Sequence, residues 1–67
     1  MKNIGKNLRY TREEKGLSVY EVEKQTSINH QSLYEYEKGN RAPSILQIVS
    51  LANLYEISID ELIGREI

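Results

Sequence analysis

Apolar side chains recur along the chain at intervals of three and four, in short runs bounded by residues that start or stop helices. Ile4 and Leu8 stand four apart in a charged stretch, and Gly16 closes it as a glycine just past a helix end does. Ser18 opens Ser-Val-Tyr-Glu, a capping box in which its hydroxyl takes the Glu21 amide while the Glu21 side chain reaches back. Val22 and Thr26 then share one face. Asn29 is a good N-cap for a third segment whose inward positions are Leu33 and Tyr36; Gly39 ends that segment and Pro43 forbids its continuation. Ser44 with Gln47 makes a second capping box ahead of Ile45, Ile48, Val49, Leu51, Ala52 and Tyr55 at helical spacing. Ser58 with Glu61 makes a third, ahead of Ile59, Leu62 and Ile63. Tyr34 to Glu37 alternates at period two, but it lies between an N-cap and a glycine and therefore reads as helix. The pattern predicts an all-α chain of five short helices near 3–15, 19–25, 30–38, 45–55 and 59–64, in a single domain over 1–67.

Composition narrows what such a domain does. With no cysteine among 67 residues there is neither a disulfide nor a thiolate metal cage, so caps and a small apolar core must hold the fold. No apolar run approaches the roughly 18 residues that span a bilayer. The opening MKNIGKNLRY lacks the apolar stretch of a secretory signal. The expectation is a soluble cytoplasmic domain with no membrane partner. His30 is the only histidine, the four glycines are isolated, and no nucleophile–base motif is present. No enzymatic activity, metal, cofactor or small-molecule ligand is expected. The net charge of −1 argues against a protein that grips nucleic acid by bulk charge. Its distribution softens that: residues 1–44 carry eight basic against six acidic side chains, and residues 45–67 one against four. A basic face, if present, lies in the first two thirds.

The second and third segments are separated by a turn of three or four residues, from Thr26 to Asn29. Two short helices so connected are the arrangement of a DNA-reading helix-turn-helix, here over about 18–38; the same spacing also fits an ordinary corner between helices. Four motifs go further: I-G-x-x-L at 4–8, R-x-x-K-G-L-S at 12–18, E-x-G-x-R-x-P-S at 37–44, and S-L-A-x-L at 50–54 leading to I-S-I-D-E-L at 57–62. In that order and over nearly the whole length, the chain resembles the phage-repressor, Cro and Xre class of helix-turn-helix domains. The resemblance implies a compact five-helix, lambda-repressor-like domain that reads double-stranded operator DNA with its third helix, as a transcriptional regulator and foremost a repressor. Three positions depart from the family pattern. Val19 stands where a phosphate-gripping Gln is common. Glu23 stands where a small Ala is preferred, which requires either a looser site or an approach by Lys24 or an Arg. Ser27 stands where the turn favours Gly, which requires a strained or a differently shaped turn.

By resemblance, the base readers are the first, second and sixth residues of the third helix: His30, Gln31 and Glu35. Gln pairs bidentately with adenine, His donates to guanine and Glu accepts from cytosine. Asn29 caps the helix while the helix N-terminus points amides toward a phosphate. Ser32, Tyr34 and Lys38 suit backbone contacts, as do Asn40 and Arg41 in the loop that follows; Lys6 or Arg9 adds to them. Arg12 and Glu37 match a family ion pair that ties the first helix to the third, a structural role. The apolar positions Ile57, Ile59, Leu62, Ile63 and Ile67 exceed what a short terminal segment needs to seal a core. By resemblance, the C-terminal helices over 45–64 pack the domain and form the two-fold contact of a homodimer. Val19 and the missing positive charge also suit a protein-interaction module on the same fold, such as an antitoxin or antirepressor-type partner.

Overall fold

The computed structural model describes residues 4–64. Over them the chain forms α1 (Ile4–Glu14), α2 (Val19–Thr26), α3 (His30–Lys38), α4 (Ile45–Tyr55) and α5 (Ile59–Leu62), with no strand among the described residues. These are the five helices the periodicity predicts. The last is shorter than expected: it stops at Leu62, and Gly64 (φ 72°) turns the chain away.

Both ends of each helix follow from local chemistry. Ser18 and Ser44 make full capping boxes with Glu21 and Gln47. The expected third box is only half made. Ser58 Oγ accepts the Glu61 amide at 3.1 Å, but the Glu61 carboxylate takes the Ser58 hydroxyl at 3.3 Å. A hydroxyl can accept and donate at once, so the pair closes on itself without using the Ser58 amide. At the other ends, Gly16 N–H donates to Glu13 O and Leu17 N–H to Arg12 O, the paired bonds of a Schellman stop. Gly39 and Asn40 repeat this pattern on Tyr36 and Glu35. Glu56 and Ile57 repeat it on Asn53 and Ala52, with Glu56 itself left-handed at φ 57°.

The core is one cluster drawn from every helix: Ile4 and Leu8, Val19 and Val22, Ile28 of the turn, Leu33 and Tyr36, then Ile48, Leu51, Ala52, Tyr55 and Leu62. Helix α3 packs against both α1 and α2, α4 against α2 and α5, and α5 against α1. Two contacts fix α3 within this frame. A Cβ on Gly5 would lie 2.5 Å from the Tyr36 carbonyl oxygen and 2.8 Å from that of Glu37, so only glycine lets α1 come this close to the end of α3. On the far side, Tyr36 Oη donates to Gln47 Oε1 at 2.8 Å. That same oxygen accepts the Ser44 amide, so the capping box of α4 also holds α3.

Two substitutions test these backbone demands. Gly5→Ala is expected to cost about 1–3 kcal/mol through overpacking against α3 carbonyls, lowering Tm by several degrees. Ser27→Gly, at a residue held at φ 65°, is expected to raise stability by up to about 1 kcal/mol. Thermal and urea unfolding measure both.

Candidate nucleic-acid interface

The site is built from the turn outward. Thr26 Oγ1 donates to Val22 O at 2.7 Å and accepts the Ile28 amide at 3.2 Å, carrying the chain past the end of α2. Ser27 takes the left-handed conformation itself, its amide on Glu23 O at 2.7 Å, so this turn keeps a glycine-like shape while bearing a side chain. Ile28 is buried and anchors the turn to the core. Asn29 Oδ1 then accepts the Gln31 amide at 2.7 Å, as the N-cap of α3.

Because Leu33 and Tyr36 face the core, the opposite side of α3 faces out. Asn29, Gln31, Ser32, Tyr34, Glu35 and Lys38 line one shallow groove there, together with Arg41 from the following loop. The structure thus brings together seven of the nine side chains expected to meet nucleic acid. Lys38 and Arg41 supply its positive charge. The Arg41 guanidinium lies 5.6 Å from the centre of the Tyr36 ring, a cation–π contact that steadies a side chain otherwise in solvent. Lys6 shares a neighbouring hollow with Lys38 and Arg41. Arg9 opens onto a hollow beside Tyr34 and Lys38, though its Nε is engaged by Glu13 Oε2 at 3.2 Å.

The other two expected residues are placed differently. Asn40 Nδ2 donates to Glu35 Oε2 at 3.3 Å, tying the loop to the helix. His30 leans toward α2: its Nδ1 is 3.2 Å from Glu23 Oε1, and its ring lies 4.9 Å from that of Tyr20. The partner of Glu23 is therefore His30, neither Lys24 nor an arginine, and the carboxylate stays about one-third exposed. Val19 is buried in the core, while its neighbour Tyr20 is exposed. Sequence reasoning left Tyr20 and Glu23 out of the site. The available signal was an aromatic and a carboxylate three apart on α2, ahead of a histidine that begins α3.

The orientation of the whole face rests on Arg12 and Glu37. Arg12 Nε meets Glu37 Oε2 at 2.8 Å, Nη2 meets Oε1 at 3.0 Å, and Nη1 donates to Leu17 O at 2.8 Å. Both side chains are nearly buried, 12% and 6% exposed. The carboxylate bonds hold the guanidinium pKa above its ordinary value against the opposing effect of burial.

The C-terminal apolar residues divide. Leu62 is fully buried, so its expected place in a dimer contact is corrected: its side chain is consumed by the chain's own core. Ile57 and Ile63 are partly buried against that core, and Ile59 is more open. Ile67 lies outside the described residues. Among the described residues, the most exposed aliphatic side chains lie elsewhere, at the start of α4: Leu46 at 77% and Ile45 at 65%.

Two short helices meeting at a left-handed turn, with the second presenting a polar face, define a helix-turn-helix domain. Comparison with known proteins gives the same class: the helix-turn-helix family profile matches residues 8–62, and the chain belongs to this family, of the Xre and Cro type. It is 31% identical over 64 residues to the HTH-type transcriptional regulator ImmR of Bacillus subtilis (strain 168), covering 96% of this chain and 50% of ImmR. The chain thus spans half the length of that relative. It is 36% identical over 62 residues to the uncharacterized HTH-type transcriptional regulator y4dJ of Sinorhizobium fredii, covering 92% of this chain and 80% of y4dJ. Among solved structures, the BldD DNA-binding domain of S. venezulae superposes with a TM-score of 0.79 at 32% identity, over 91% of each chain.

The Arg12–Glu37 pair also leaves a mark on Tyr55. Burial, and after it the Glu37 charge, push this phenol from 10.0 up to about 12. An unfolded phenol releases its proton near 10, whereas the folded one holds it to about 12. The associated stability is fully present below about pH 10 and is lost as pH rises through the folded value, on the order of 2–3 kcal/mol in all. Urea unfolding between these pH values is expected to show a steeper loss for the parent than for Tyr55→Phe.

Proposed function

We propose that this chain is a sequence-specific, double-stranded DNA-binding transcriptional regulator, acting as a repressor, that inserts α3 into the major groove. One observation carries the reading. The solvent side of α3 and the loop behind it line a single groove with amide, hydroxyl, phenol, carboxylate and cationic groups, while its other side packs on α1 and α2 and is tied to α4 by the Tyr36–Gln47 bond. A helix held on three sides with one polar face free is what base readout requires. The relatives are named transcriptional regulators, and the superposing domain is named DNA-binding.

Gln31 is the side chain best suited to bidentate pairing with adenine, with Glu35 and His30 flanking it. Asn29, Ser32, Tyr34, Lys38, Asn40 and Arg41 face the sugar-phosphate backbone. With so few cations at the face, each subunit neutralises few phosphates, and useful affinity requires a pair of subunits. The protein acts as a homodimer on an inverted repeat with half-sites about 34 Å apart. Its two-fold contact draws on Ile57, Ile59 and Ile63. No helix among the described residues is long and apolar enough to cross a membrane. A site of action in the cytoplasm follows from the DNA target.

Selection from random duplexes at low salt is expected to enrich a palindrome, and a salt titration to give a negative log–log slope. On the selected duplex, Gln31→Ala should cost about 1–3 kcal/mol at one base position. Arg41→Ala should weaken all sequences alike and flatten the salt slope by about one. Parental affinity in both variants would remove α3 from readout.

A further inference from the structure

The contact between His30 and Glu23 assigns a proton. Nδ1 of His30 lies 3.2 Å from Glu23 Oε1, and a carboxylate only accepts hydrogen bonds. The hydrogen between them therefore belongs to Nδ1. In a neutral imidazole one nitrogen carries hydrogen and the other a lone pair, so Nε2 is bare. Tyr20, three residues before Glu23 on α2, packs its ring against the imidazole at 4.9 Å between centres, tilted by 40°, and supports this orientation from the same helix. Nε2 makes no hydrogen bond within the described residues and is not buried, so it reaches solvent. The side chain as a whole keeps about a third of its surface.

We propose that Glu23 is a positioning residue for recognition: by fixing the Nδ1–H form of His30, it makes Nε2 a hydrogen-bond acceptor and turns this residue into a reader of amino groups. In the major groove those groups are N4 of cytosine and N6 of adenine. The donation to guanine expected from histidine as a residue type requires hydrogen on Nε2, which the neutral ring lacks while Glu23 holds Nδ1–H. The second helix thus sets the base preference of the third without touching the base. The inference rests on α3 reading DNA, and its first measurement does not.

That first measurement is 15N NMR of His30 in the free, full chain, with the pH raised until the ring spectrum no longer changes and the ring is neutral. The parent is expected to show a protonated Nδ1 and a bare Nε2. In Glu23→Ala the proton is expected to move to Nε2, the form an unconstrained imidazole favours. Alanine is the better helix former, and far-UV circular dichroism with a thermal melt checks that the variant is folded.

The second measurement is duplex selection at the same pH with the parent, Glu23→Ala and His30→Ala. The base pair at which His30→Ala abolishes preference marks the position read. There the parent is expected to favour adenine or cytosine on the contacted strand, by roughly 5- to 150-fold over guanine. Glu23→Ala is expected to move that preference toward guanine, a change that a merely structural loss would not produce. A bare Nδ1 in the neutral parent overturns the proposal. So does a guanine preference in the parent, or an unchanged preference in Glu23→Ala. If no duplex is enriched while NMR finds Nδ1–H, the DNA reading itself has failed and the base preference falls with it, leaving the proton assignment standing.

Discussion

The placement of α3 depends on one guanidinium. Arg12 sits on the last turn of α1, and its three engaged nitrogens reach two oxygens of Glu37 on α3 and the Leu17 carbonyl ahead of α2. Three elements are thereby referred to a single planar group, which lysine, a point charge, cannot imitate. The pair is nearly dry, so removing one partner would strand the other's charge at a cost beyond what the pair contributes. Its value lies less in net stability than in geometry. Gly5 sets how closely α1 and α3 approach, the guanidinium sets where they register, and the Tyr36–Gln47 bond closes the third side.

Features encoded within four residues were legible in the sequence. Caps, stops and inward positions depend on a residue and its near neighbours, so Ser18, Asn29, Gly39 and Ser44 declared the helix ends, and Leu33 and Tyr36 declared the core. The half-made box at Ser58 shows the limit even there, because two arrangements of the same atoms satisfy nearly the same bonds. Contacts across the turn were not legible. Glu23 and His30 are seven residues apart, and only the angle between α2 and α3 decides that they meet. The burial of Leu62 escaped for another reason: on a helix of one turn, periodicity does not separate Leu62, which the core takes, from Ile59, which it leaves open.

The polar face is nearly balanced in charge, and its members are partly committed to one another. Glu35 holds Asn40, Glu23 holds His30, and Tyr36 underlies Arg41. Such commitments lower the entropy lost when a side chain is fixed against a partner, and they favour discrimination over bulk attraction. The departures from the family pattern share this character. Val19 gives its side chain to the core, Ser27 keeps the left-handed turn, and Glu23 acquires an imidazole partner.

Gln47 Oε1 joins two events that could otherwise occur apart. Its two bonds go to the amide that begins α4 and to the phenol that holds α3 down. Helix termini open more readily than helix centres, yet here the first turn of α4 cannot fray by losing that glutamine without also releasing Tyr36 from its anchor. Opening at the start of α4 and loosening of α3 thus become a single cooperative fluctuation, and amide hydrogens at both places are drawn toward a common exchange behaviour. In so small a domain, the rigidity of α3 is shared property, held at a distance by the first turn of its neighbour.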